Sequence, residues 1–167
     1  MKLSANFYIE QLGLTAHIEG GAFKEIYRSP LVLPEQVLTP EQKGDRNAMT
    51  SIYFLLQHGD FSAFHRIASD ELWHFYDGGP LCIYEIDKEG VLTRHLLGKN
   101  IAAGERLVAC VKAGSWFGSR VEETDGYTLC GCSVAPGFDF EDFELADQNA
   151  LKLLYPQHAD IIDALTR

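Results

Sequence analysis

The sequence predicts a mainly β fold, an antiparallel sandwich or barrel, and three observations carry that prediction. Between Met49 and Val134, eight short runs are rich in β-branched and aromatic residues: TSIYFLL, SAFHRI, ELWHFY, LCIYEI, VLTRHLL, RLVACVK, SWFGSRV and YTLCGCSV. Turn residues separate them at nearly regular intervals, at Gly59, Gly78-Gly79, Asp87 to Gly90, Gly98, Gly104, Gly114 and Asp125-Gly126. The composition, 46% hydrophobic and 23% charged over 167 residues, is that of one domain with a substantial core.

The flanking segments differ in style. Ser4 can cap a short helix through ANFYIEQL, with Gly13 as its stop. GAFKEIYRS then alternates Phe23, Glu25 and Tyr27 against Lys24, Ile26 and Arg28. Polar groups on both faces suit a strand that lines a pocket. Residues 29–48 carry Pro30, Pro34, Pro40 and Gly44 among several charges and read as a long surface excursion, a lid, a dimer arm or a tolerated insertion. After Pro136-Gly137 comes the acidic-aromatic FDFEDFELAD, whose rings are expected on the barrel with its acids in water. NALKLLY and ADIIDAL, split by Pro156, have helical spacing. The expected division is a β core over about residues 20–137 and a C-terminal extension with helices over 138–167.

A formal charge of −10 with scattered basic residues argues against a nucleic-acid or anionic-membrane partner. The opening MKLSANFYIEQLG lacks the order of a signal peptide, and no apolar run is long enough for a membrane span, so the cytoplasm is the expected compartment. Cys82, Cys110, Cys130 and Cys132 lie in strand-like runs without zinc-finger spacing and read as free thiols.

Chemistry concentrates in GDFSAFHRIASDELWHFYDG, residues 59–78. His65 and position 67 share one face of a strand, and the following turn returns Glu71 to the same depth. With Gly59 and Gly78 this spacing resembles the first motif of the cupins, in which two histidines and a glutamate hold a divalent metal inside a jelly-roll barrel. KAGSWFGSR, residues 112–120, is similar to the second motif. Ile67 and Phe117 stand where two of the four ligands would be, and Lys112 replaces a proline.

Together, HIEGGAFKEIYRS, TSIYFLL, FHRIASDELWHFYDGGPL, VKAGSWF and CSVAPGFDFEDFELAD resemble a family of small single-domain cupins classed as a domain of unknown function. Ile18 and Ile26 depart from that family's usual proline and threonine. The resemblance implies a double-stranded β-helix, an RmlC-like jelly roll, with peripheral helices, a barrel pocket and commonly a homodimer. It implies no substrate.

The expected catalytic residues are His65, Glu71 and Glu25, with a carboxylate fixing the tautomer of His65 and raising its pKa. Phe23, Tyr27, Ile67, Trp73, Phe75, Trp116 and Phe117 are the expected ligand-binding wall. Arg28 and Arg66 alternate away from the pocket; Arg66 is expected to pair with Asp70 or another acid. His17, His58, His95 and His158 read as surface or structural. Three readings follow. One is a small-molecule-binding cupin with metal-independent acid–base chemistry, for which sugar-nucleotide epimerases offer a precedent. The second is a non-catalytic binding or sensing module. The third is a metalloenzyme with His65, Glu71 and His74 as ligands, a set that needs a bulge to bring His74 round. No metal cofactor is the preferred expectation, because two protein ligands hold a transition metal poorly.

Overall fold

The structure is a computed structural model that describes residues 3–122 and 126–167. Of the expected turns, the first residue of Asp125-Gly126 lies outside the described residues. Helix α1 (Ala5–Leu12) begins where the Ser4 hydroxyl accepts the Phe7 N–H and ends at Gly13, whose φ of 64° is left-handed.

The strands are β1 (Thr15–Ala16), β2 (Ala22–Arg28), β3 (Val32–Leu33), β4 (Arg46–Asn47), β5 (Thr50–Gln57), β6 (Phe61–Arg66), β7 (Asp70–Gly78), β8 (Leu81–Ile86), β9 (Leu92–Leu97), β10 (Val108–Val111), β11 (Trp116–Val121), β12 (Tyr127–Ala135) and β13 (Glu144–Leu145). They form a six-stranded sheet in the order β1-β2-β5-β12-β7-β10 and a five-stranded sheet in the order β13-β6-β11-β8-β9. Neighbours pair antiparallel throughout both sheets, and non-consecutive strands lie side by side, as the jelly roll requires.

Among the described residues, three apolar clusters follow from which sheet face each residue takes. Phe54, Leu56, Ile67, Trp73, Ile83, Phe117, Cys130 and Cys132 belong to the largest, inside the barrel. A second, with Phe64, Cys82, Tyr84, Ile86 and Trp116, meets Leu151 of α2 (Gln148–Leu154) and Ile162 of α3 (Ala159–Ala164). Leu14, Leu55, Tyr127 and Leu129 form the third, with α1 residues packed against it. Strand β8 is buried along its whole length because helices cover its outer side, so LCIYEI reads as a continuous run.

Residues 29–48 hold more regular structure than expected, since β3 and β4 form a two-stranded ribbon around a 3-10 turn at Glu35–Val37. Its Arg46 is buried and grips Asp142 through two bonds of 2.7 and 2.8 Å. Asp142 therefore departs from the expectation that the acids of FDFEDFELAD face water. Arg66 pairs with Glu144 at 2.6 Å, while Asp70 pairs with Lys112. Cys82, Cys130 and Cys132 are buried free thiols and Cys110 is half-buried.

Candidate functional site

A cavity of about 250 Å³ opens between the sheets, and β2, β5, β6, β7, β12 and the segment 138–143 all contribute to its lining. His65, Glu71, Glu25, Phe23 and Ile67 line it. So do His17, Glu19, Arg28, Phe138, Asp139, Phe140 and Phe143. The segment 138–143 forms the wall that a lid over residues 29–48 would have supplied; none of 29–48 lines the cavity.

Backbone irregularities decide which side chains meet there. The β2–β5 register shifts between Glu25 and Tyr27, making Ile26 an extra residue. That bulge turns Arg28 to the side of Glu25, to which its Nε and Nη2 donate at 3.0 and 2.7 Å. Arg28 thus lines the cavity instead of facing away, and Tyr27 is exposed outside it. A second register shift lies between β6 and β11, after Phe117 pairs with His65 and before Ser119 pairs with Ser62. Regular alternation would set Ser62 and His65, three residues apart, on opposite faces. The bulge lets both reach the same carboxylate.

That carboxylate belongs to Glu19. Its Oε1 accepts the Ser62 hydroxyl at 3.0 Å, and its Oε2 lies 3.1 Å from His65 Nε2. Glu19 arrives through Gly20 and Gly21, with φ of 114° and 73°. A Cβ on Gly20 would fall 2.0 Å from the Phe61 carbonyl oxygen, so only glycine lets this turn approach β6 so closely. The Glu19 carbonyl accepts the Ala63 N–H at 2.8 Å and locks the approach.

His65 Nδ1 lies 2.7 Å from the Ala63 carbonyl oxygen, which can only accept. Nδ1 therefore carries a proton, and in the neutral ring Nε2 presents a lone pair to Glu19 Oε2. One proton must lie between those two atoms. Burial pushes Glu19 up to about 7 and His65 down to about 4. Both directions place that proton on Glu19 in a neutral pair. The expected rise in the pKa of His65 is reversed because desolvation of the imidazolium outweighs the bond its Nδ1–H donates to the Ala63 carbonyl.

Glu71 is raised to about 8, first by burial and then by the neighbouring Glu19, since two acids so close do not ionise together. The neighbouring Cys132 thiol offsets only part of that rise, and no lysine, arginine or histidine among the described residues pairs with it. His17 accepts the Glu19 N–H on Nδ1 at 3.3 Å, which leaves the proton of the neutral ring on Nε2, and burial lowers its pKa. It is a cavity residue, correcting its reading as a surface or structural histidine.

Other expected wall residues lie elsewhere. Trp73 and Phe75 pack in or against the main core, and Trp116 lies on the far side of the five-stranded sheet beneath the Arg66 guanidinium, 4.5 Å from its ring centroid. Phe117 touches the His65 ring, centroids 4.1 Å apart, from within the core. His74 lies half-buried on the outer face of β7, opposite Val108 and Gly131. The β7–β12 register shift falls beyond it, between the pairs made by Phe75 and Asp77, and does not turn it inward.

A double-stranded β-helix with a side-chain-lined cavity between its sheets is the architecture of a cupin. The chain belongs to the family described as Cupin_5, Cupin superfamily (DUF985), whose model matches residues 6–146. It is 31% identical over 159 residues to the uncharacterised protein YML079W of Saccharomyces cerevisiae, spanning 87% of this chain and 78% of that one. It is similar to the structure of a hypothetical protein from Leishmania major, at 36% identity and a TM-score of 0.90, over 98% of this chain and 99% of that one. Protein SO0799 from Shewanella oneidensis is also similar, at 44% identity and a TM-score of 0.87, over 99% and 98%.

The cupin fold implies a divalent metal, and the residues present do not fit one. Ile67 and Phe117 offer no donor atom, and both nitrogens of His65 are engaged within the protein. Among the described residues, no three His, Cys, Asp or Glu side chains are grouped to hold a metal ion.

Proposed function

We propose that the cavity binds a small organic molecule and moves a proton on it without a metal, with Glu19 as the group that meets the ligand and His65 as its positioning partner. The supporting observation is the 3.1 Å approach of Glu19 Oε2 to His65 Nε2 while Nδ1 is committed to the Ala63 carbonyl, a geometry that calls for one proton between the two. His65 has no free nitrogen, and the Phe117 and Phe143 rings lie 4.1 and 5.3 Å from its own. It acts through Glu19, which lines the cavity beside Glu71. A carboxyl with a pKa near 7 gives and takes protons readily at neutral pH.

The test is solvent hydrogen exchange. Metabolites that raise the melting temperature are incubated in heavy water with the wild type, Glu19→Gln and His65→Ala, and followed by NMR. Exchange or conversion with the wild type, lost in Glu19→Gln, is the expected result. The enclosure of His65 also favours a second reading, a binding module without turnover. A tight ligand that no variant exchanges or converts establishes that reading instead.

We also propose that a second copy covers the outer face of the six-stranded sheet, where Ile26, Leu72, Tyr76 and Val108 are exposed. Light scattering of the wild type against Leu72→Glu checks it: the expected outcome is a dimer that dissociates in the variant.

A further inference from the structure

We infer that the cavity takes a small organic amine, held as its cation by Glu71 and the rings of Phe138, Phe140 and Phe143, and that it rejects anionic metabolites. This rests on reading the cavity as a ligand site and names the chemical class that site selects.

The lining carries four carboxyl groups, Glu19, Glu25, Glu71 and Asp139. Arg28 is the guanidinium that faces them, and it is already committed. Its Nε and Nη2 bond Glu25, and its Nη1 donates to Asn47 Oδ1 at 2.9 Å and to the Phe138 carbonyl at 3.3 Å. No fork remains to grip a phosphate or carboxylate. His65 spends both nitrogens inside the protein, and His17 takes the Glu19 N–H on Nδ1. An anion entering here would lose its hydration and gain no free cation in return. The sugar-nucleotide precedent therefore does not suit this lining.

Two further observations favour a cation. Glu71 is more than nine-tenths buried, lines the cavity, and has no cation of the described residues as its partner. In the same cavity an aromatic wall is left uncovered. Phe140 is 61% exposed although it lines the cavity, and it stands edge-on to Phe138 at 5.0 Å and to Phe143 at 6.1 Å. Phenyl faces carry negative quadrupolar charge that complements an organic ammonium, and the bound cation favours the ionised form of Glu71, whose proton passes to solvent.

A shape-matched series tests the inference by titration calorimetry of the full chain at pH 7: phenethylamine, 2-phenylethanol and 3-phenylpropionate. The amine should bind about tenfold more tightly than the alcohol, with the carboxylate weakest. Glu71→Gln should remove the preference for amine over alcohol while leaving the alcohol within about twofold, and Phe140→Ala should weaken both. A carboxylate or alcohol that binds as tightly as the amine, or a preference that survives Glu71→Gln, overturns the amine and leaves the ligand site standing. No binding by any of the three sinks both.

Discussion

Two groups of buried polar side chains flank the segment 138–143, and they are built on opposite rules. On one side Arg46 and Asp142, both with almost no exposed side-chain surface, form a complete ion pair. On the other, Glu19, His65 and Glu71 are equally buried and have no lysine or arginine partner among the described residues. A charge taken from water must be paired or neutralised. The first group pairs and so pins the segment to β4. The second neutralises, which leaves protons that a ligand can displace or accept.

The contrast breaks most visibly at Arg46. Arg46→Met strands the Asp142 carboxylate and should cost about 3–5 kcal/mol in urea unfolding, whereas the double variant Arg46→Met, Asp142→Leu should recover most of it. A single-variant loss below about 1 kcal/mol would mean that other contacts hold the segment.

Glu71→Gln comes next, because its effect depends on pH. The folded carboxyl titrates near 8, against an ordinary value of 4.5, so the folded state binds more protons through that window. Wild-type stability contributed by this group is intact below the unfolded pKa and is lost as pH rises towards the folded one. The uncharged amide has no such loss. Glu71→Gln should match the wild type near pH 5 and exceed it by on the order of 2 kcal/mol near pH 8. Parallel stability curves for the two proteins would refute a neutral Glu71.

Glu19→Gln tests the location of the shared proton. A glutamine can donate its amide N–H to His65 Nε2 and accept from Ser62 with its carbonyl, just as the protonated acid does. Its stability at pH 6 should lie within about 1 kcal/mol of the wild type. A larger loss, together with an imidazolium signal from His65 in nitrogen NMR of the wild type, would replace the neutral pair with an ionic one. The smallest effect belongs to Lys112→Ala. Its 2.8 Å bridge to Asp70 joins two exposed side chains, and its loss should change stability by less than about 0.5 kcal/mol.

The fold was legible because its signals are local. Alternating strands, turn glycines and the Ser4 and Gly13 caps specify themselves within a few residues, and the spacing from Gly59 to Gly78 carries the cupin resemblance. The meeting of His65, Glu71 and Glu25 around one cavity also follows strand parity. Residues missed by that parity are those at irregular backbone. Arg28 follows the Ile26 bulge, and Ser62 and His65 share Glu19 across the β6 bulge. Glu19 itself left one signal, the pair Gly20-Gly21, whose positive φ marks a close backbone approach without naming its target.

By itself, then, the sequence determined the strand pattern, the two apolar substitutions in the metal motif and the faces of His65 and Glu71. Tertiary structure decided the partners: Glu19 for His65, Asp142 for Arg46, and the phenyl rings of 138–143 for the cavity wall. Strand periodicity fixes which face a side chain takes, but register shifts and long-range approach fix whom it meets. Burial at that meeting point, which no linear spacing records, sets whether an acid is charged or neutral.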